Sequence, residues 1–186
     1  MRIAVVGTGN IGRTIGGAWE RAGHVVAYTS RTPEPPATVA ITDALLEAQV
    51  VLLAIPGGGV EQFLIDHGSG LEGRLVFDAT NRIGEPTLHN AEAFADHAPE
   101  ALLVRAFNTV GWEVMADPGE ATMFWCGPDG DPGATASQLI ADVGLRPVRV
   151  GGPDAIDVVD GAGRLWLTLV FAQGMPRTIA LKLIGD

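Results

Sequence analysis

Three glycines in the stretch Gly7-Thr8-Gly9-Asn10-Ile11-Gly12 are spaced to cradle a pyrophosphate. Gly7 permits a tight turn, Gly9 lets a phosphate approach the backbone, and Gly12 lets a helix pack closely on the preceding strand. The chemistry offered is anion binding, by unpaired amides at a helix N-terminus where the dipole also favours negative charge. A glycine-rich structural turn is the competing reading, since 25 of the 186 residues are glycine. The flanks decide between them. An apolar run, Ile3 to Val6, enters the glycines, a helical pattern follows from Ile11 to Ala22, and a second apolar run spans His24 to Tyr28. Strand, glycine turn, helix and strand in that order are the setting a dinucleotide site requires.

The end of the second run selects the dinucleotide. A site for NAD places Asp or Glu there to bond the ribose 2′-hydroxyl. This chain reads Tyr28-Thr29-Ser30-Arg31-Thr32 instead. Two hydroxyls and a guanidinium suit a 2′-phosphate that a carboxylate would repel. The residues therefore favour NADP, with Arg13 as a further cation near the turn; the bland alternative makes Arg31 a solvated loop residue.

Three more strand ends carry distinctive loops: Leu53-Ala54-Ile55-Pro56, Asp78-Ala79-Thr80-Asn81 and Ala106-Phe107-Asn108-Thr109-Val110-Gly111. In an open α/β sheet, ligands bind outside the carboxyl ends of the strands, so all three would gather over the nicotinamide half of the cofactor. Ala54 allows close approach, while Asn81, Asn108 and Thr109 offer uncharged hydrogen-bonding groups. For Asn81 a turn-forming role stands level with a functional one.

The elements needed to position these loops recur along the chain. Apolar runs fall at 3–6, 25–28, 50–55, 75–77, 101–104, 122–125 and 147–150, with helical patterns at 11–22, 42–48, 58–66, 88–97 and 134–143. Strands alternating with helices predict an α/β fold, a Rossmann-type doubly wound and mostly parallel sheet. Pro33, Pro35 and Pro36 shorten the second crossover to a loop and a short helix. From about Asp154 the character changes. Ala155 to Phe171 reads as a long apolar helix, and Arg177 to Ile184 as a second short one, beyond Gly174-Met175-Pro176. The expected organisation is a single NADP-binding domain over 1–186, with 154–186 a helical extension that serves either dimerisation or as a lid.

Composition narrows the function classes. Twelve basic residues against 22 acidic ones give a formal charge of −10, which disfavours a nucleic-acid partner. Cys126 is the only cysteine, which excludes a disulfide framework or dithiol centre within one chain and reads as a small buried hydrophobe. No leader is recognised ahead of the first strand and no run is long enough to span a membrane, so a cytoplasmic protein is expected. The single tyrosine, Tyr28, and single lysine, Lys182, exclude a Tyr-x-x-x-Lys pair. His24, His67, His89 and His97 read as surface residues, and no spacing resembles a metal site. A cofactor site without acid–base machinery suits hydride transfer between two ring systems, where alignment is the protein's contribution.

With these residues in view, GTGNIG, TSR, LAIP, VFDATN, VRAFNTVGWEVMADP and LVFAQGMPRTIALKLI together resemble the NADPH-dependent reductases of coenzyme F420, a deazaflavin. The resemblance implies a homodimer that moves a hydride between NADPH and the deazaflavin. It implies that Thr8, Ser30 and Arg31 hold the 2′-phosphate end. Asn10 and Ile11 would line the pyrophosphate turn made by Gly7, Gly9 and Gly12, Ala54, Ile55 and Pro56 would line the nicotinamide ribose, and Asn81 and Asn108 would border the nicotinamide and the acceptor cavity. The chain departs from the family pattern at several points. Gly57-Gly58-Gly59 replaces a bulky aromatic, Arg82 replaces a proline, Trp112 stands where a small residue is usual, and Gly152-Pro153 then Asp157 meet the C-terminal pattern loosely. Two further readings stay open: reduction of another small acceptor (flavin, quinone-like ring or imine), and a non-catalytic sensor of NADP(H).

Overall fold

The structure is a computed structural model that describes residues 1–185 other than 33, 34 and 38; Pro33 of the proline cluster lies outside the described residues. Seven strands form one sheet: β1 (Arg2–Val6), β2 (Val25–Thr29), β3 (Val50–Leu53), β4 (Leu75–Asp78), β5 (Leu102–Arg105), β6 (Thr122–Cys126) and β7 (Arg146–Gly151). Their spatial order is β2-β1-β3-β4-β5-β6-β7. All neighbours run parallel except β5 and β6, which meet antiparallel at Arg105 and Cys126. The chain leaves β1 towards β2 on one side and returns to β3 on the other. This reversal opens a crevice at the carboxyl ends of β1 and β3.

The apolar runs become buried strands because both faces are covered. Ile3 and Val5 of β1 point to one layer, which also holds Trp19 of α1 (Asn10–Arg21), Met115 of the short helix α5 (Trp112–Ala116) and Leu139 of α6 (Gly130–Asp142). Ala4 and Val6 point to the other, with Leu45 of α2 (Ile41–Glu47), Phe63 and Leu64 of α3 (Val60–His67) and Phe94 of α4 (Ala91–His97). Trp19 ties its layer together: its indole donates to the Leu139 carbonyl at 2.8 Å, and Phe77 and Phe107 stand 5.9 and 6.1 Å from it. The expected Rossmann-type sheet is therefore the observed one.

The C-terminal segment is partly as expected. Helix α7 spans Ile156–Leu167 and runs on through a π-helical turn, Thr168–Ala172. The second helix expected over Arg177 to Ile184 is not formed. Gly174, at φ +69°, turns the chain, and the segment continues beside β6 without regular secondary structure, through a turn at Arg177-Thr178. There the Thr122 amide donates to the Leu181 carbonyl at 2.8 Å and the Leu183 amide donates to Thr122 Oγ1 at 2.9 Å. These partners lie far away in sequence, and they satisfy backbone groups that a short isolated helix would hold only marginally. Cys126 is buried, and burial pushes its thiol up to about 11, in keeping with a packing role. Among the described residues, no helix is long and apolar enough to cross a membrane.

Candidate functional site

At the carboxyl ends of β1 and β3 lies a cavity of about 730 Å³, of the size small-molecule and cofactor sites have. The glycine turn forms its floor, and each glycine has a separate geometric reason. Gly7 sits at φ +111°, and a Cβ there would lie 2.4 Å from the Ala54 carbonyl oxygen. A Cβ on Gly12 would lie 2.0 Å from the Gly7 carbonyl oxygen, which is how close α1 approaches the turn. At Gly9 a Cβ would meet nothing within 4 Å. No protein atom fills that space, so it is open to a ligand.

Helix α1 begins at this turn without a side-chain cap and without an acidic residue in its first turn. Its first amides are therefore left for an anion in the cavity. Arg13 adds a cation to the same wall, its Nε donating to the Thr8 carbonyl at 2.7 Å. This cradle fits a pyrophosphate, so the donor set suits a dinucleotide.

The end of β2 forms the far wall. Ser30 and Arg31 both line the cavity. Arg31 is exposed, and its guanidinium has no ion-pair partner among the described residues. The Ser30 hydroxyl donates to the Thr32 carbonyl, so it meets a ligand as an acceptor unless it rotates. Ala54, Ile55 and Pro56 line the cavity from the β3 end. Ile41, Phe63 and His67 close it opposite the glycines, a wall that the sequence reading missed. The helix α3 extends one residue past the expected 58–66, and this sets Phe63 and His67 four apart on one face with their rings 5.2 Å apart.

Of the thirteen candidate residues, eight line this cavity: Gly7, Thr8, Gly9, Ser30, Arg31, Ala54, Ile55 and Pro56. Asn10, Ile11 and Gly12 belong to the first turn of α1 beside it. Asn81 and Asn108 stand outside the lining. Their amides are held in a buried cluster around Arg105, the second feature that the sequence reading missed.

Arg105 ends β5 and is 1% exposed. Its Nε donates to Asp160 of α7 at 2.8 Å, its Nη1 to Asp78 of β4 at 3.1 Å and its Nη2 to the Asn81 amide oxygen at 3.0 Å. Asn81 Nδ2 donates in turn to the Asn108 carbonyl at 3.1 Å, and Asn108 Nδ2 to Asp160 at 2.9 Å. One guanidinium thus binds the strand-end loops of β4 and β5 to α7. Two acceptors of the cluster, Asp160 Oδ2 and Asn108 Oδ1, are buried without a hydrogen-bond partner among the described residues. The sequence does carry a hint of this arrangement. Asp78 and Arg105 end two adjacent apolar runs, and the parallel register sets them side by side.

Phe107, between Arg105 and Asn108, adopts φ +62°, a conformation that costs a non-glycine residue about 1–2 kcal/mol. Complete burial against Trp19 and Phe77 holds it there. The bend turns Asn108 towards Asp160 rather than towards solvent.

Residues 2–82 match the model of a family described as NADP oxidoreductase, coenzyme F420-dependent. Human metalloreductase STEAP2 is 26% identical over 162 residues, covering 80% of this chain and 33% of that protein. The chain therefore spans about a third of the length of this curated relative. A structure described as a candidate F420-dependent NADP reductase, from Arthrobacter sp. FB24, superposes with a TM-score of 0.83 at 26% identity over 100% of both chains. Pyrroline carboxylate reductase of Plasmodium falciparum, solved with NADP bound, has a TM-score of 0.69 at 10% identity, over 93% of this chain and 67% of that one, and shows the fold alone. The family and these relatives are all oxidoreductases by description.

Proposed function

We propose that the chain is a single-domain, cytoplasmic NADPH-dependent reductase that exchanges a hydride with the deazaflavin coenzyme F420. The observation that carries the cofactor half is the 730 Å³ cavity, with an open glycine turn on its floor and an unpaired Arg31 on its far wall. Likeness to the Arthrobacter protein along the full length of both chains supports the acceptor. NADPH supplies the hydride when bound. The first-turn amides of α1 receive its pyrophosphate, Arg31 its 2′-phosphate, and Phe63 and His67 form a face against which a purine can lie. Ala54, Ile55 and Pro56 set the nicotinamide end. Asn81 and Asn108 act through the Arg105 cluster, which fixes the loops that border the acceptor.

Such a reaction needs alignment more than a proton donor. The single tyrosine is engaged elsewhere. Tyr28 donates to Glu20 at 3.1 Å, and burial and that carboxylate push its hydroxyl up to about 12. The test mixes the protein with NADPH and oxidised F420 and follows the deazaflavin's visible absorbance. Rapid bleaching, much slower with NADH, is expected. NADPH binding without bleaching would leave the nucleotide reading intact and reject this acceptor. One observation favours a different small acceptor in that event: the Asn81 amide and Asn108 Nδ2 are engaged within the protein, and the unpartnered Asn108 Oδ1 is buried in the Arg105 cluster, outside the cavity lining.

A homodimer formed through α7 completes the proposal. Val158 and Leu165 are 62% and 48% exposed and stand seven residues apart on the outer face, with Gly161 and Ala162 between them. A helix face of this kind is self-complementary about a two-fold axis and allows close approach. Phe171 and Met175, 62% and 42% exposed, extend the patch. Sedimentation velocity is expected to show a dimer, and Leu165→Glu a monomer. A monomeric wild-type protein at tens of micromolar would reject the interface.

A further inference from the structure

A second, smaller cavity of about 250 Å³ lies beside the first, between the β3–α3 loop and the segment from β4 to α4. Gly58 lines both cavities, and a Cβ on Gly58 would meet nothing within 4 Å. The two spaces are therefore neighbours across a residue without a side chain. Two departures from the family pattern meet here, Gly57-Gly58 and Arg82.

The charges of this cavity have no partners among the described residues. The half-buried Arg82 guanidinium has no hydrogen bond or ion pair to any described residue. Glu61 of α3 and Glu92 and Asp96 of α4 also line it, and none of these carboxylates is paired with a described residue. Asn90 is 6% exposed; its Nδ2 donates to Thr80 Oγ1 at 3.1 Å, while its amide oxygen has no partner among the described residues. His89 closes the wall and offers nothing to a ligand. Its Nδ1 accepts from the Ala91 amide at 3.2 Å, which leaves Nε2 to donate to Asp157 at 3.3 Å.

We infer that this cavity is a second ligand site, built for a small zwitterion whose carboxylate meets Arg82 and whose ammonium meets Asn90 and the carboxylates of α3 and α4. A simple anion would meet three carboxylates, and a simple cation would meet the guanidinium. A molecule bearing both charges is favoured at each end, and its charges discriminate it from either. A cavity of this volume takes an amino-acid-sized molecule, not a dinucleotide. The inference is independent of which acceptor the nucleotide site serves.

The test titrates isotope-labelled, NADP-saturated protein with γ-aminobutyrate, butyrate and butylamine, following the amide signals of Gly57, Gly58 and Asn90 by NMR. γ-Aminobutyrate is expected to bind about tenfold more tightly than either single-charge analogue. Arg82→Met is expected to reduce its affinity to that of butylamine, and Glu61→Gln to narrow its advantage over butyrate. Both positions are partly or fully exposed, so both variants fold, and NADPH affinity is expected to stay unchanged. Equal responses to the three probes, responses elsewhere in the protein, or a preference that survives Arg82→Met would overturn the inference. Because binding is read directly, loss of this site is distinguishable from absence of reductase activity.

Discussion

Arg105→Met is expected to lower unfolding stability by about 3–5 kcal/mol, because it leaves two buried carboxylates without their shared cation. Asp78 and Asp160 are both about 98–100% buried beside Arg105, and Asp160 already carries an oxygen with no partner. Methionine restores much of the volume, so the loss reads the charge and the hydrogen bonds rather than a cavity. A small domain has roughly 5–15 kcal/mol in total, so the midpoint in urea should fall steeply or the variant should not fold. Asp160→Asn keeps an oxygen for Arg105 and removes one charge, and is expected to cost much less. Together the two variants separate ionic necessity from shape. A loss below about 1 kcal/mol for Arg105→Met would show that the cluster is solvated and that the strand-end loops are fixed by packing alone.

The second large effect concerns the nucleotide. Arg31→Ala is expected to weaken NADPH binding by about 1.5–3 kcal/mol through loss of a charge-assisted contact to the 2′-phosphate, roughly tenfold to 150-fold in Kd. NADH, which lacks that phosphate, should bind almost unchanged. Arg31 is exposed, so solvent and salt screen it, and the wild-type preference for NADPH should shrink as salt rises. Calorimetric titration of both nucleotides at two ionic strengths checks this. Equal losses for NADPH and NADH would mean that Arg31 shapes the β2 loop and does not read the phosphate. Ser30→Ala should have the smaller effect, since its hydroxyl is already engaged with the Thr32 carbonyl.

Local sequence determined a large part of this protein. The seven apolar runs are strands, and the helical patterns at 11–22 and 58–66 are α1 and α3, within a residue or two. Period and punctuation carry such information: buried parallel strands are short apolar runs between glycine-containing turns. The lining of the candidate nucleotide cavity was legible in good part. Eight of the thirteen candidate residues line one cavity because the motif is local and its glycines are fixed by contacts within a single β-α-β unit.

The remainder required contacts between residues far apart in the chain. Arg105, Asp78 and Asp160 are 27 and 55 residues apart by pair, and nothing within any one segment says that they share a buried site. Only the parallel register of β4 with β5 and the packing of α7 bring them together, and this drew Asn81 and Asn108 into the protein's own hydrogen bonds. The segment from 177 to 184 shows the same limit. Its local pattern reads as a helix, but hydrogen bonds to Thr122, some sixty residues earlier, hold it beside β6 in irregular form. Intrinsic propensity is worth tenths of a kcal/mol per residue, and tertiary hydrogen bonds and burial outweigh it. The sequence by itself specified the strands, the glycine turn and the choice of Arg31 over a carboxylate. The tertiary structure alone decided which polar groups are free to meet a ligand, because that depends on which partners folding has already given them.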